Sequence, residues 1–323
     1  MSTDWVLNSF TIVLGCGNET LGLNAQTLST GEHKMNFSLR KFDIGMIKSR
    51  CEIDSRKSPM MVVIGKKDTG KSFLVRDILY NCQQDFPVGT VISGTEVANE
   101  FFQHMVPSKF IHDKYTPQIV MNVIKRQMTM KQKRNTAKNG SGGQSNIDPR
   151  AFLILDDCLY DSSWIKEEST RYVFMNGRHI DMMTIITMQY PLGITPNLRT
   201  NVDFVFILRE NILGNRRRIY ENYAGMFPTF EMFCTFMDQC TENFECLVIC
   251  NNVNSNKLED QVFWYKAAEH PPFRMCDSSL WANNQPFTSA ILAADDWTAG
   301  AVQKKNGGSV WVKKEHGGGG DGK

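Results

Sequence analysis

Apolar residues in this chain gather into short runs bounded by polar and turn-forming residues. Met60 to Ile64, Gly89 to Ser93, Phe152 to Leu155, Thr184 to Gln189 and Asp203 to Leu208 read as buried strands. Helical spacing lies between them. Phe73, Leu74, Ile78 and Leu79 share one face, and Glu96 to Met105 reads as a helix. Thr116-Pro117 opens another helix, with Ile119, Val120, Val123 and Ile124 on one side and proline in the first turn. Ser163 to Gly177 and Asn211 to Tyr223 complete the helices, and Phe110 to Tyr115 reads as a short strand. Strands alternating with helices predict an α/β fold, a parallel sheet covered on both faces. Glu245 to Cys250 and Gln261 to Tyr265 read as a hairpin. Ahead of the alternating region, Trp5 to Leu14 and Met35 to Asp43 have strand character. The division expected is a β-rich N-terminal extension (1–57), a core (58–255), a C-terminal extension (256–315) and a Gly-rich disordered tail (316–323). No signal peptide or membrane-spanning run is visible.

The junction after the first core strand carries the strongest chemical signal. Gly65, Lys66, Lys67, Asp68, Thr69, Gly70, Lys71 and Ser72 fit G-x-x-x-x-G-K-[S/T], with a strand before and a helix from Phe73 onward. Glycines admit backbone angles closed to other residues, so consecutive N–H groups turn inward and cradle phosphate oxygens at a helix N-terminus. Lys71 is expected to reach the β- and γ-phosphates of ATP, and Ser72 to hold Mg²⁺. Phe152 to Leu155 followed by Asp156 and Asp157 fits the second signature of such enzymes. Asp156 is the expected Mg²⁺ ligand and Asp157 the expected base for the attacking water, one methylene shorter than the commoner glutamate. Gln189 ends the next strand, where strand ends line the ligand crevice of a parallel sheet. Arg178, Arg199 and Arg209 are candidates for a finger supplied to a neighbouring site, Arg178 first and Arg199 second.

Composition changes the picture little, but charge distribution adds to it. The 323 residues carry a net charge of only +2. Yet no acidic residue lies between Asp113 and Asp148, an interval holding Lys125, Arg126, Lys131, Lys133 and Arg134. Residues 131–146 read as a flexible, basic, Gly- and Ser-bearing loop. These five residues, with Arg216 to Arg218, are candidate contacts for nucleic-acid phosphates, although solvated loops and helix faces have the same composition. Nine cysteines without framework spacing indicate free thiols in a reducing compartment. Cys234, Cys240, Cys246 and Cys250 lack zinc-site spacing and read as buried thiols.

Taken together, the acidic strand through Asp161 and the segment Phe174 to Glu210 resemble the packaging ATPases of nucleocytoplasmic large DNA viruses, within the FtsK–HerA superfamily. The resemblance spans about residues 60–250 and is most specific from Asp156 to Glu210. It implies a RecA-like P-loop core of strand order 5-1-4-3-2. It further implies an oligomeric ring motor that hydrolyses ATP and pumps double-stranded DNA into a capsid. A portal or virion-membrane partner and a location in the virion or the cytoplasmic virus factory follow from the same likeness. By position, residues 65–72 match the family's phosphate loop, Asp156 and Asp157 its acidic pair and Gln189 its polar sensor. The basic stretch 131–146 is a departure. Competing readings are a nucleotide or small-molecule kinase, another DNA-remodelling ATPase and a nucleotide-bound scaffold. A kinase has less need of an acidic base directly after the metal carboxylate.

Overall fold

The computed structural model describes residues 11–13, 20–26, 36–53, 55–140, 143–158, 164–282 and 284–287. The strands are β1 (Thr11–Val13), β2 (Thr20–Gln26), β3 (Asn36–Lys41), β4 (Met60–Ile64), β5 (Val88–Ser93), β6 (Ile111–His112), β7 (Ala151–Asp156), β8 (Met182–Met188), β9 (Phe204–Ile207), β10 (Glu245–Cys250) and β11 (Val262–Lys266). The helices are α1 (Gly45–Arg50), α2 (Lys71–Asn81), α3 (Glu96–Asn99), α4 (Pro117–Gly140), α5 (Glu168–Asn176), α6 (Pro196–Arg199), α7 (Leu213–Tyr223), α8 (Phe230–Cys240) and α9 (Leu258–Gln261).

All described strands join one sheet in the order β1-β2-β3-β11-β10-β9-β4-β8-β7-β5-β6. Its centre is parallel. Counted from the phosphate-loop strand, β9-β4-β8-β7-β5 is the order 5-1-4-3-2 that the sequence resemblance implies. The expected hairpin is β10–β11, antiparallel, with β10 also antiparallel to β9. β11 then pairs in parallel with β3, so strands from both ends of the chain meet in the same sheet.

The central strands are apolar on both faces because each face has its own core. Val62, Leu153, Leu155, Ile186, Val205 and Leu247 pack toward α4, α5, α7 and α8. Their alternates Met61, Val63, Ile154, Ile185, Phe206 and Val248 pack toward α1, α2 and the segment carrying Phe273 and Met275. That two-sided burial is what unbroken apolar runs signify in a parallel sheet. Phe42, 2% exposed, knots the second core. Its ring meets Phe204, Phe206, Phe263 and Tyr265 edge-on at centroid distances of 5.6, 5.7, 5.9 and 5.9 Å.

Three expectations need correction. The basic stretch from 131 is not a loop up to Gly140 but the continuation of α4. No glycine or proline interrupts Gln118 to Asn139, and Lys, Gln, Arg, Met and Ala favour helix. Polar side chains also anchor it. Buried Gln127 donates to the Pro149 and Ile180 carbonyls (2.7 and 2.9 Å), and buried Arg134 donates to the Ile147 carbonyl. The helix expected over 96–105 splits into α3 and a 3-10 turn, Phe102–His104. Buried Glu96 causes the break, accepting from the N–H groups of Phe102 and Gln103 at 2.9 and 2.8 Å. The helix expected over 163–177 begins later, α5 following a 3-10 turn at Trp164–Lys166. Of Trp5 to Leu14 only Thr11–Val13 is described, as a strand, and the tail at 316–323 lies outside the described residues. Among the described residues no helix is long and apolar enough to cross a membrane.

Phe42→Ala is expected to destabilise the fold by about 3–5 kcal/mol, the usual cost of deleting a buried phenyl ring. Denaturant unfolding would measure it, and a change below about 1 kcal/mol would show that the N-terminal segment is not integral to the core.

Candidate nucleotide site

β4 ends at Ile64, and the chain turns sharply over Gly65 to Gly70 into α2. Gly65 has no room for a side chain: a Cβ there would lie 2.6 Å from Thr69 Oγ1 and 2.9 Å from Leu208 Cβ. Asp68 and Gly70 take φ of 61° and 101°, the left-handed turns that bring the chain round to the helix. The loop is pinned at both ends. Gly65 N–H donates to the Met188 carbonyl (3.0 Å), and Thr69 Oγ1 donates to the Lys66 carbonyl (2.8 Å). Lys66 Nζ pairs with Glu210 Oε1 at 2.6 Å, just beyond β9. Burial alone would raise the Glu210 carboxyl. Bonds from Lys66, the Ile212 N–H and Asn215 outweigh it and hold the group below the usual carboxylate range. No side chain caps α2, so the N–H groups of its first turn, including those of Lys71, Ser72 and Phe73, are placed to meet an anion. Lys67 is exposed, and Ser72 is half-buried in that turn.

The acidic residues are placed by strand register. Ser93 of β5, Asp156 of β7 and Thr187 of β8 are directly paired across three neighbouring strands. Their side chains bond in a row: Ser93 Oγ donates to Asp156 Oδ2 (2.8 Å) and Thr187 Oγ1 donates to Oδ1 (2.7 Å). Asp156 is 6% exposed. Burial pushes its carboxyl above the usual range, and the two hydroxyls only partly offset this. A buried carboxylate in that state is suited to meeting a cation. A Mg²⁺ ion takes few protein ligands and keeps waters and phosphate oxygens, and Asp156 and Ser72 are the residues that would hold it. Among the described residues no cluster of three or more His, Cys, Asp or Glu side chains offers another metal site.

Asp157 turns out of the strand with φ 48°, its N–H donating to the same Thr187 hydroxyl at 3.0 Å. One threonine hydroxyl therefore holds the Asp156 carboxylate and the Asp157 backbone together. Gln189 Nε2 donates to Asp157 Oδ2 at 2.9 Å. Lys71 Nζ, 8% exposed by its side chain, lies 3.6 Å from that oxygen and donates to the Lys66 carbonyl at 3.0 Å. Lysine, carboxylate and amide thus form one connected chain at the mouth of the loop.

The arginines sit elsewhere. Arg178 lies in the 3-10 turn Gly177–Ile180 before β8 and bonds Asn201 Oδ1 at 3.3 Å. Arg199, on α6 before β9, bonds the Asn222 carbonyl at 3.4 Å and lies over the Tyr223 ring. Arg178 is at the starting edge of the parallel strands, opposite the edge that carries the loop, whereas the Tyr223 ring under Arg199 reaches toward the loop's edge, its Oη donating to the Pro191 carbonyl at 2.8 Å. Arg209 is exposed on the loop's own edge. Of the basic residues on α4, Lys125 and Lys133 are exposed. Arg126 is bonded to Gln127 and Lys131 paired with Asp181, while Arg134 is buried. Sequence reasoning missed Ser93, Thr187 and Glu210. Their one signal was a polar residue at or just past the end of an otherwise apolar run.

A strand-loop-helix turn of the G-x-x-x-x-G-K-S pattern, an acidic strand and a 5-1-4-3-2 parallel core define the class, a RecA-like P-loop fold. The chain is 38% identical over 235 residues to an uncharacterized protein (L437) of Acanthamoeba polyphaga mimivirus, covering 72% of this chain and 78% of that one. It is 38% identical over 205 residues to protein 088R of Invertebrate iridescent virus 3 (64% and 74% covered), and 37% identical over 235 residues to protein 075L of Invertebrate iridescent virus 6 (72% and 87%). The chain belongs to the family that these proteins of nucleocytoplasmic large DNA viruses form. No protein-family model matches it. Among solved structures it is similar to B204, the DNA-packaging ATPase of Sulfolobus turreted icosahedral virus, at 15% identity and TM-score 0.42, over 66% of this chain and 100% of that one. It is also similar to the pCW3 conjugation coupling protein TcpA, at 13% identity and TM-score 0.47, over 81% and 88%.

Thr187→Val removes the hydroxyl shared by the acidic pair. We expect nucleotide affinity to be nearly unchanged and kcat to fall about ten- to a hundredfold, the worth of one or two bonds to a charged group. Steady-state turnover checks this, and an unaltered kcat would dismiss Thr187 as the organiser. Asp156→Asn should raise the thermal midpoint of the nucleotide-free protein at pH 8 while abolishing turnover. Because burial raises this carboxyl, its charged form penalises the native state at high pH. The gain should therefore shrink as pH falls and Asp156 protonates. Calorimetry at pH 8 and pH 4.5 would show the trend, and a pH-independent gain would contradict it.

Proposed function

We propose that this chain is a Mg²⁺-dependent ATPase that drives double-stranded DNA in viral genome packaging. The observation that carries the hydrolytic part is the connected set Lys71–Asp157–Gln189 at the mouth of the loop, beside buried Asp156. Lys71 and the N–H groups of the loop would hold the phosphates. Asp157 would take a proton from water, and Gln189, bonded to the same carboxylate, would orient that water. Mg²⁺ held by Ser72 and Asp156 would neutralise phosphate charge. The chain supplies little covalent chemistry here, since positioning and charge do the work.

An arginine supplied across a subunit boundary, Arg178 first and Arg199 second, would make the active form a ring in which one subunit completes its neighbour's site. The DNA-packaging role rests on the family resemblance and on the exposed Lys125 and Lys133. A capsid portal or virion-membrane component as partner, and a place in the virion or virus factory, belong to the same reading. Contacts through lysines to phosphates would be salt-sensitive and nearly blind to sequence.

Lys71→Ala is expected to abolish nucleotide binding, and Asp157→Asn to retain binding while losing at least a hundredfold in kcat. Turnover retained in Asp157→Asn would remove Asp157 from the base role. ATP hydrolysis with and without double-stranded DNA, at 50 and 200 mM salt, tests the motor. Stimulation that fades with salt is the expected result. Turnover indifferent to DNA but dependent on a phosphoryl acceptor would point to a kinase instead. Sizing with an ATP analogue and DNA tests the ring, and a fully active monomer would refute it.

A further inference from the structure

Phe244 stands out beside the loop. It precedes β10, and because β10 runs antiparallel to β9 it begins at the edge of the sheet that carries the phosphate loop. The residue is 66% exposed, more than any other large hydrophobic residue among those described. Its backbone is held at φ 64°, directly after Asn243 at φ 50°. Two consecutive non-glycine residues in the left-handed region are costly, the more so for a bulky aromatic one. Neither cost is offset by burial of the ring. What the conformation achieves is placement. A Cβ built on Gly70 would lie 3.4 Å from Phe244 Cδ1, 3.8 Å from its Cβ and 3.9 Å from Leu208 Cδ2. The ring therefore stands against the last glycine of the phosphate loop.

A nucleotide whose phosphates lie in the loop carries its base one ribose away from the α-phosphate. An exposed aromatic ring beside the loop offers what a base requires, since stacking on it needs only the base's flat face. We propose that Phe244 is the platform on which the purine base of the bound nucleotide stacks, so that the turn between α8 and β10 reads the nucleoside while residues 65–72 hold the phosphates. The inference rests on the nucleotide-binding reading of the loop.

The test compares a ligand that has a base with one that lacks it. Binding of the non-hydrolysable analogue AMPPNP and of inorganic tripolyphosphate, each with Mg²⁺, is measured by calorimetry for the full chain and for Phe244→Ala, Phe244→Leu and Phe244→Trp. The wild type should bind AMPPNP more tightly than tripolyphosphate. Phe244→Ala and Phe244→Leu should weaken AMPPNP about tenfold or more, the usual worth of one base stack, and leave tripolyphosphate unchanged. Phe244→Trp should keep AMPPNP affinity, with indole emission that responds to AMPPNP and not to tripolyphosphate. Unchanged AMPPNP affinity in Phe244→Ala overturns the proposal, as does equal weakening of both ligands, which would mark Phe244 as a support of the loop or a subunit contact. Wild-type affinity equal for the two ligands sinks the platform alone. A wild type that binds neither ligand sinks the nucleotide-binding reading and the platform with it.

Discussion

The register of the parallel strands is the constraint on which the site depends. Ser93, Asp156 and Thr187 occupy paired positions on β5, β7 and β8, so two hydroxyls reach one buried carboxylate. A slip by one residue would send every side chain to the opposite face and break both bonds. Register here is enforced by burial on both faces. Leu153, Leu155 and Ile186 belong to one core while Ile154 and Ile185 belong to the other, and a slip would exchange them. The apolar packing that stabilises the sheet thus also sets the geometry of its most polar residues.

The phosphate-loop helix is held from behind by the C-terminal part of the chain. Asp77 of α2 is 1% exposed and accepts from Tyr265 Oη at 2.6 Å and from His270. The His270 ring stacks on Tyr80 with centroids 3.8 Å apart, and Arg76 donates to the His270 carbonyl at 2.9 Å. A buried carboxylate is tolerated only when its oxygens are met, and here they are met by β11 and the segment after it. β11 also pairs with β3, and Phe42 packs over both β9 and β11. Strands outside the parallel centre therefore brace the helix that carries Lys71.

Helix α4 shows how composition misleads when read without partners. A run of lysines, arginines and glutamines looks solvated, yet Gln127 and Arg134 turn inward to satisfy carbonyls of the chain leading into β7. Lys131 is drawn to Asp181, whose φ of 55° ends the turn before β8. The outward residues, Lys125 and Lys133, have the same character in sequence as the inward ones.

Sequence alone determined the chemistry that is local along the chain. The loop Gly65 to Ser72 needs glycines at fixed offsets, and the acidic pair needs an apolar strand before it. Both are patterns of adjacent residues, so they can be read before any fold is known. The central strands were legible for the same reason, because burial on two faces requires unbroken apolar runs. Tertiary structure decided what joins distant segments. Ser93 and Thr187 are separated by 94 positions, yet they hold the same carboxylate because β7 lies between their strands. Glu210 reaches Lys66 only because β9 lies beside β4. Phe244 meets Gly70 only because β10 runs antiparallel to β9. Hydrogen bonds and stacking act over a few ångströms, and which residues come that close is settled by strand order and register, which no local pattern encodes.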